Sequence, residues 1–235
     1  MSTVQYLQRK LHNLTHPVLG RILMLHRVVE YRSEDNNREL EVTPQFLEQT
    51  IKDYKQQGYH FVSIDDITHL SPFIFHISPK YVFLTFDDGY RDTFDIAYPI
   101  LKKHNIPFAV YVTTGFVDKT ADMWWYKDVD ALNREQLKAL DDEPLCTIGA
   151  HTVSHPRLDT LSYDEQRKEI AESKETLEKW LGHPIHHFSY PHGAYNDDTV
   201  SIVNDLQFHS SLCAWGGTVR RGANPMLLPR IELKQ

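Results

Sequence analysis

Hydrophobic positions along the chain fall into two kinds of stretch that alternate almost throughout. Short apolar and β-rich runs read as buried strands: Arg21 to Leu25 (RILML), His60 to Ile64, Tyr81 to Phe86 (YVFLTF), Pro107 to Thr114, Cys146 to Ala150, His187 to Tyr190 (HFSY) and Leu212 to Trp215. Between them lie segments with helical spacing. One opens at Thr43-Pro44 and runs to Gln57 with Gly58 as its stop; others span Thr93 to Lys103, a short stretch before Leu140, Tyr163 to Leu181 and Asp197 to Leu206. Residues 30 to 41 read as a polar loop, and LLPRIEL is the last segment before the final Lys234-Gln235. At the other end, Val4, Leu7, Leu11 and Leu14 recur every three or four residues. That spacing predicts an amphipathic helix ended by His16-Pro17, docked on the domain or touching a second copy or a membrane surface through Arg9 and Lys10.

Strands alternating with helices imply an α/β fold with a largely parallel sheet of about seven strands. A closed, TIM-like (β/α) barrel and an open doubly wound sheet both fit. The first strand is not followed by a Gly-rich phosphate loop, which counts against a dinucleotide-binding version. With no repeat or Pro/Gly-rich linker, the expected organisation is a helix over residues 1–20 and one domain over 21–235.

In a parallel barrel the carboxyl ends of the strands share one face, where sites are built. His26, Asp87-Asp88, His151 and the stretch Tyr190, Pro191, His192 and Gly193 each stand at such an end. His151 and His155 are four apart, as a single helical turn would need to place two ligands on one metal. The spacing alone is weak, because 14 histidines in 235 residues give roughly 0.8 such pairs by chance. Three occur, but His12/His16 sit on the terminal helix and His183/His187 flank a turn before a strand. Only the pair at 151 and 155 directly follows a strand end. With one aspartate it supplies two nitrogens and one oxygen and leaves a position open for water, the arrangement of a catalytic zinc site.

Charge and composition remove other classes. A net charge of −7 without a dense Lys/Arg cluster excludes a phosphate-neutralising nucleic-acid binder. Two cysteines, Cys146 and Cys213, give no disulfide framework. No secretory leader and no run of about 18 apolar residues is present, so a soluble cytoplasmic protein is expected.

TFDDG at Thr85 to Gly89, HTVSHP at His151 to Pro156 and YPHG at Tyr190 to Gly193 together resemble the polysaccharide deacetylases of carbohydrate esterase family four, the NodB-homology domain. The resemblance extends from MLHRV at Met24 to LPRI at Leu228 to Ile231. It implies a distorted (β/α) barrel and metal-dependent hydrolysis of N-acetyl or O-acetyl groups on sugars. Carried over by position, Asp88, His151 and His155 are the ligands of one divalent metal, expected to be zinc; Asp87 is the general base, and the backbone N–H of His192 after Pro191 is an oxyanion donor. Three departures matter. His192 stands where many members have Tyr or Phe. Ser189 stands where many members have the arginine that orients the base, and no late Leu-x-His supplies the general acid. Members with the MLHRV-like segment bring a histidine from the first strand, which points to His26 as the acid.

Trp124, Trp125 and Trp215 lie on rim connections and could stack on sugar rings or pack the loops. Two other functions remain open: a metal-containing carbohydrate-binding protein without catalysis, and an amidohydrolase of the same fold acting on small non-sugar amides. The expected partner is an acetylated carbohydrate.

Overall fold

Continuous apolar runs bounded by polar turns fold as the strands of one curled sheet wrapped by helices. The computed structural model describes residues 18–34, 36–68, 80–119, 121–126 and 129–235; the helix expected over residues 2 to 15 lies outside them. The chain passes through β1 (Val18–Leu25), β2 (Arg27–Val28), β3 (Glu41–Val42), α1 (Pro44–Gln56), β4 (His60–Phe61) and β5 (Tyr81–Phe86). It continues through α2 (Tyr98–Lys103), β6 (Phe108–Val112), α3 (Arg134–Asp141), β7 (Cys146–Ala150) and α4 (Tyr163–Leu181). The remaining elements are β8 (His187–Ser189), α5 (Asp197–Asp205), β9 (Ser210–Leu212), β10 (Thr218–Arg220) and β11 (Ile231–Glu232). Helix starts are fixed by their caps: Thr43 Oγ1 accepts the Phe46 N–H, Ser162 and Glu165 form a reciprocal capping box, and Gly182 ends α4 at φ 84°.

Strands β1, β5, β6, β7, β8 and β9 lie side by side, all parallel. The segment from Leu228 to Leu233 closes the ring. At one end the Leu228 N–H donates to Ser211 O (3.0 Å) and Leu228 O accepts the Cys213 N–H (2.9 Å); at the other, β11 pairs with Leu23 and Met24 of β1. The result is a distorted (β/α) barrel whose seventh stave is this splayed last segment, paired with β1 on one side and bonded to β9 on the other. Among the described residues no helix is long and apolar enough to cross a membrane.

Because side chains alternate along a strand, each stave sends every second residue inward. Leu23, Leu25, Leu84, Phe86, Val110 and Val112 face outward into the main core beneath the helices. Ile22, Phe83, Ala109, Tyr111, Leu212 and Leu228 pack against one another inside the barrel. Continuing the inward parity to the carboxyl ends reaches His26 after β1, Asp87 after β5, His151 after β7 and Arg230 just before β11. Apolar residues fill the middle of the barrel, and polar ones occupy its mouth.

Local differences from the sequence expectation have local causes. The second strand stops at Phe61, because the Ser63 hydroxyl accepts the Asp65 N–H (3.2 Å) and turns the chain into a 3-10 turn over Ile64–Thr68. The strand expected over Leu212 to Trp215 is instead Ser210–Leu212, since Cys213 turns its N–H to the closing segment. The polar stretch 30 to 41 ends in β3, which pairs with β2, and the antiparallel β10 along the first half of β1 was not anticipated.

Gly149 on β7 shows how tight the interior is: a Cβ there would lie 2.5 Å from the Tyr111 ring and 3.0 Å from His187 O. Gly149→Ala should therefore lower stability by about 1–3 kcal/mol, read as a lower urea midpoint. An unchanged midpoint would contradict this packing.

Candidate active site

In an extended strand Asp87 and Asp88 would point to opposite faces of the sheet. The chain avoids this by turning left-handed directly after Asp87, with φ 73° at Asp88 and 78° at Gly89. Aspartate tolerates this region better than most side chains, and glycine enters it freely. Both carboxylates consequently line the same cavity, and both are buried, each 3% exposed. Neither caps a helix; the carboxylate that bonds to β2 is that of Asp92, which accepts the Val28 N–H (3.1 Å) and the Arg27 Nε–H (2.7 Å).

Residues 151 to 155 do not form the expected helical turn. Thr152 and His155 have φ of 65° and 60°, and the segment is an irregular loop. Tertiary hydrogen bonds override the helical spacing. Thr114 and Gly115 donate their N–H groups to Thr152 O (3.1 Å) and Val153 O (2.8 Å), and the His155 N–H donates to Thr152 Oγ1 (3.1 Å). From α4, Glu169 accepts the Val153 and Ser154 N–H groups, both at 2.9 Å, and the Ser154 hydroxyl at 2.7 Å. Gly115 is required here, because a Cβ on it would stand 2.4 Å from Val153 O.

This loop and the Asp88 turn bring three ligand atoms together. His151 Nε2 and His155 Nε2 each lie 3.3 Å from Asp88 Oδ1, and the three residues form a compact metal-ligating group with atoms within 4.8 Å of one another. His151 Nδ1 is 2.7 Å from Ser189 O, a pure acceptor, so Nδ1 carries the proton and Nε2 offers its lone pair. Asp88 Oδ1 has no hydrogen-bond partner, and neither has His155 Nδ1. Buried lone pairs converging on a carboxylate oxygen repel unless a cation lies between them, so the donor set fits a divalent metal with an open coordination position. The electrostatics agree. Burial would raise the Asp88 carboxyl, but His155, His151 and His26 bring it below the ordinary carboxylate range. Burial pushes His155 down to about 3, despite Asp88. Burial also disfavours charge on His151, yet Asp87 and Asp88 outweigh it and raise its proton affinity. The field that draws a proton to His151 would draw a metal cation equally.

Asp87 belongs to a different network. Arg230, 2% exposed, reaches across the closed seam and forks onto it, Nη1 to Oδ1 at 2.7 Å and Nη2 to Oδ2 at 2.6 Å. Nη2 also donates to Ser189 Oγ (2.9 Å), Nε to Cys213 O (2.8 Å) and Nη1 to Thr85 Oγ1 (3.3 Å); Ser189 Oγ in turn donates to Asp87 Oδ2 (3.2 Å). Burial would raise the Asp87 carboxyl, but Arg230 and then His151 carry it below its usual value, so it is ionised. The arginine missing at position 189 is thus replaced in space by one from the last segment. Sequence reasoning passed over Arg230, although a lone Arg inside the apolar run LLPRIEL is itself a sign of a buried partner.

The cavity above these groups measures about 340 Å³. His26, Trp125, His192 and Trp215 line it, with Arg157 and Glu232 as charged groups in its wall. Trp125 packs on the His155 ring at 4.3 Å between centroids, and His192 at 4.5 Å. Trp124 and Trp215 are each 64% exposed; Trp124 stands outside the cavity, its ring 5.9 Å from that of His192. Tyr190 reaches the cavity wall, but its hydroxyl donates to Met226 O (2.9 Å) in the outer core. Pro191 is buried and opens the turn that gives His192 a φ of 58°.

Known proteins share this arrangement of elements. The family model described as polysaccharide deacetylase matches residues 76–211. The Bacillus subtilis protein YxkH is 25% identical over 206 residues, covering 88% of this chain and 70% of that protein. The poly-β-1,6-N-acetyl-D-glucosamine N-deacetylase of Staphylococcus aureus is 26% identical over 161 residues, 64% of this chain and about half (53%) of that enzyme's length. The deacetylase PplD of Streptococcus pyogenes, solved in complex with acetate, superposes with a TM-score of 0.80 at 30% identity, covering 93% of each chain. A barrel with this polar mouth, a family match over more than half of its length and a solved relative over nearly all of it lead to one conclusion: the chain belongs to the polysaccharide deacetylase family, hydrolases of carbon–nitrogen bonds.

Proposed function

We propose that the protein is a metal-dependent deacetylase that removes acetyl groups from N-acetylated sugar residues of a polysaccharide or an oligosaccharide precursor. The observation that carries this reading is the division between two adjacent carboxylates. Asp88 turns an unpartnered oxygen to two imidazole nitrogens at 3.3 Å, while Asp87 is clamped by Arg230 at 2.6 and 2.7 Å. Asp88, His151 and His155 would hold one divalent ion, and two nitrogens with one oxygen suit zinc. When bound, such an ion supplies Lewis acidity that polarises an acetyl carbonyl and acidifies a water.

The remaining chemistry belongs to side chains. Asp87, kept ionised and aimed by Arg230, takes the proton of the attacking water. The His192 backbone N–H stabilises the developing oxyanion. His26, at the mouth on the β1 side, gives a proton to the departing amine. Trp125 and Trp215 form apolar walls for the sugar, with Trp124 at the entrance. The name of the staphylococcal relative supports an N-acetylglucosamine polymer as the first substrate to test.

Acetate release from N-acetylglucosamine oligomers, with small non-sugar amides alongside, tests the activity. In the same assay Asp87→Asn should keep its metal and lose turnover, whereas Asp88→Asn, His151→Ala and His155→Ala should lose metal and turnover together. Full metal content in the histidine variants, or exchanged phenotypes of the two aspartates, would contradict the assignment.

His26→Ala should lower turnover of an N-acetyl substrate by about 10²–10⁴-fold with unchanged metal content. An acetyl ester with a good leaving group should be affected far less, because it departs without protonation. Equal losses on both substrates would remove His26 from the acid role.

A further inference from the structure

Next to the cavity wall lies a buried ionic group to which the mechanism above assigns no role. Glu41 opens β3 directly after Leu40, a residue that lines the cavity, and is itself 2% exposed. A carboxylate taken out of water needs donors in its place. Glu41 Oε2 accepts the Ser33 N–H at 2.6 Å and the Ser33 hydroxyl at 2.9 Å, and Oε1 accepts Arg27 Nη1–H at 3.3 Å and the hydroxyl of Tyr126. Arg27 shares its charge with Asp92, to which Nε–H donates at 2.7 Å, and its guanidinium lies 4.6 Å over the Tyr126 ring and 5.3 Å over that of Tyr90.

Tyr126 belongs to the same turn as the aromatic wall. Its N–H donates to Met123 O at 3.2 Å, and Trp124 and Trp125 stand between them. Trp125 lines the cavity with its ring 4.3 Å from that of His155, and its indole N–H donates to the Tyr90 hydroxyl at 2.8 Å. Met123 is buried with Tyr90 and Phe116. The turn that carries Trp125 is therefore bonded through Tyr126 to the carboxylate that follows Leu40, and both Leu40 and Trp125 face the substrate cavity. Burying Glu41, Arg27 and Asp92 together costs desolvation that an apolar cluster would not. What the ions add is direction, because a hydrogen bond to a charged acceptor is roughly twice as strong as a neutral one and fixes its donor.

We propose that Glu41 is a positioning residue for the sugar-binding wall: its carboxylate, held by Arg27 and Ser33, fixes the Tyr126 hydroxyl and through it keeps Trp125 in place opposite Leu40. This rests on the reading of the cavity as a site for an N-acetylated sugar with Trp125 as one of its walls. Glu41 touches neither the reacting atoms nor the metal-ligating group, so its contribution falls on substrate binding. A wall that binds substrate and transition state alike changes KM and leaves kcat nearly as it was.

The test uses the full-length protein and two substrates: an N-acetylglucosamine oligomer, which needs the wall, and an acetyl ester with a good leaving group and no sugar, which does not. Glu41→Gln and Tyr126→Phe should each raise KM for the oligomer about 5–10-fold, with kcat within about twofold of wild type. Metal content and kcat/KM for the ester should be unchanged. Titrating the metal-free proteins with the same oligomer, followed by tryptophan fluorescence, should give dissociation constants in the same ratio. Glu41→Gln/Tyr126→Phe should bind no more weakly than the more impaired single variant, because both substitutions act on one bond. Tyr126→Phe removes only a hydroxyl, so it decides the matter if urea unfolding shows that Glu41→Gln does not fold. Oligomer KM within about twofold of wild type in the folded variants, equal losses on oligomer and ester, or fully multiplicative losses in the double variant would overturn the proposal. Wild-type protein that cleaves the ester but neither binds nor deacetylates the oligomer would bring down the sugar reading and this inference with it. Normal oligomer turnover in the wild type with unaltered variants would overturn this inference alone.

Discussion

A carboxylate sealed inside a barrel needs a matching charge, and the Asp87–Arg230 pair is the contact on which this molecule depends. Removing two ions from water costs several kcal/mol each, which only close, multiply bonded geometry offsets. Arg230 supplies it with two bonds to Asp87 and three more to Ser189, Thr85 and Cys213. The partners come from β5, the turn after β9 and the end of β8, so the guanidinium ties the splayed last segment to the middle of the sheet at the point where the barrel closes. The pair also decides what the neighbouring residue can do. With Asp87 committed to Arg230, Asp88 is the carboxylate available to the histidines.

Chemistry at the mouth follows from strand parity together with three backbone departures from it. Parity delivers His26, Asp87, His151 and Arg230 inward. Left-handed residues at Asp88, Thr152 and His155 then bend Asp88 and His155 back over the same opening. Each lies on a connection anchored by other elements: Gly89 close against Val112, Thr114 and Gly115 bonded to the histidine loop, and Glu169 accepting three hydrogen bonds from it. Function here needs strained turns, and the scaffold around them is what makes the turns tolerable.

Much of this was legible in the chain. Continuous apolar runs gave the parallel staves, the Thr43-Pro44 cap and Gly58 stop gave α1 and helical spacing gave α4 nearly to the residue, and the adjacency of Asp87-Asp88 with His151-x-x-x-His155 singled out the residues that meet at the mouth. What was not legible depends on contacts distant in sequence. His151 and His155 have helical spacing, yet the loop between them follows hydrogen bonds from Thr114, Gly115 and Glu169. Arg230 reads as an isolated charge until the last segment is placed beside β1 and β9. Strand ends moved for the same reason, as Cys213 chose Leu228 rather than the adjacent stave.

Asp87 and Arg230 act as one buried unit, and an unfolding double-mutant cycle on metal-free protein measures their coupling directly. Arg230→Met should cost about 3–5 kcal/mol, because it strands a buried carboxylate. Adding Asp87→Asn to it should recover a large part of that loss, giving a coupling energy of about 2 kcal/mol or more. Losses that simply add, within about 0.5 kcal/mol, would mean that the two side chains are independent and that the seam is held by other contacts.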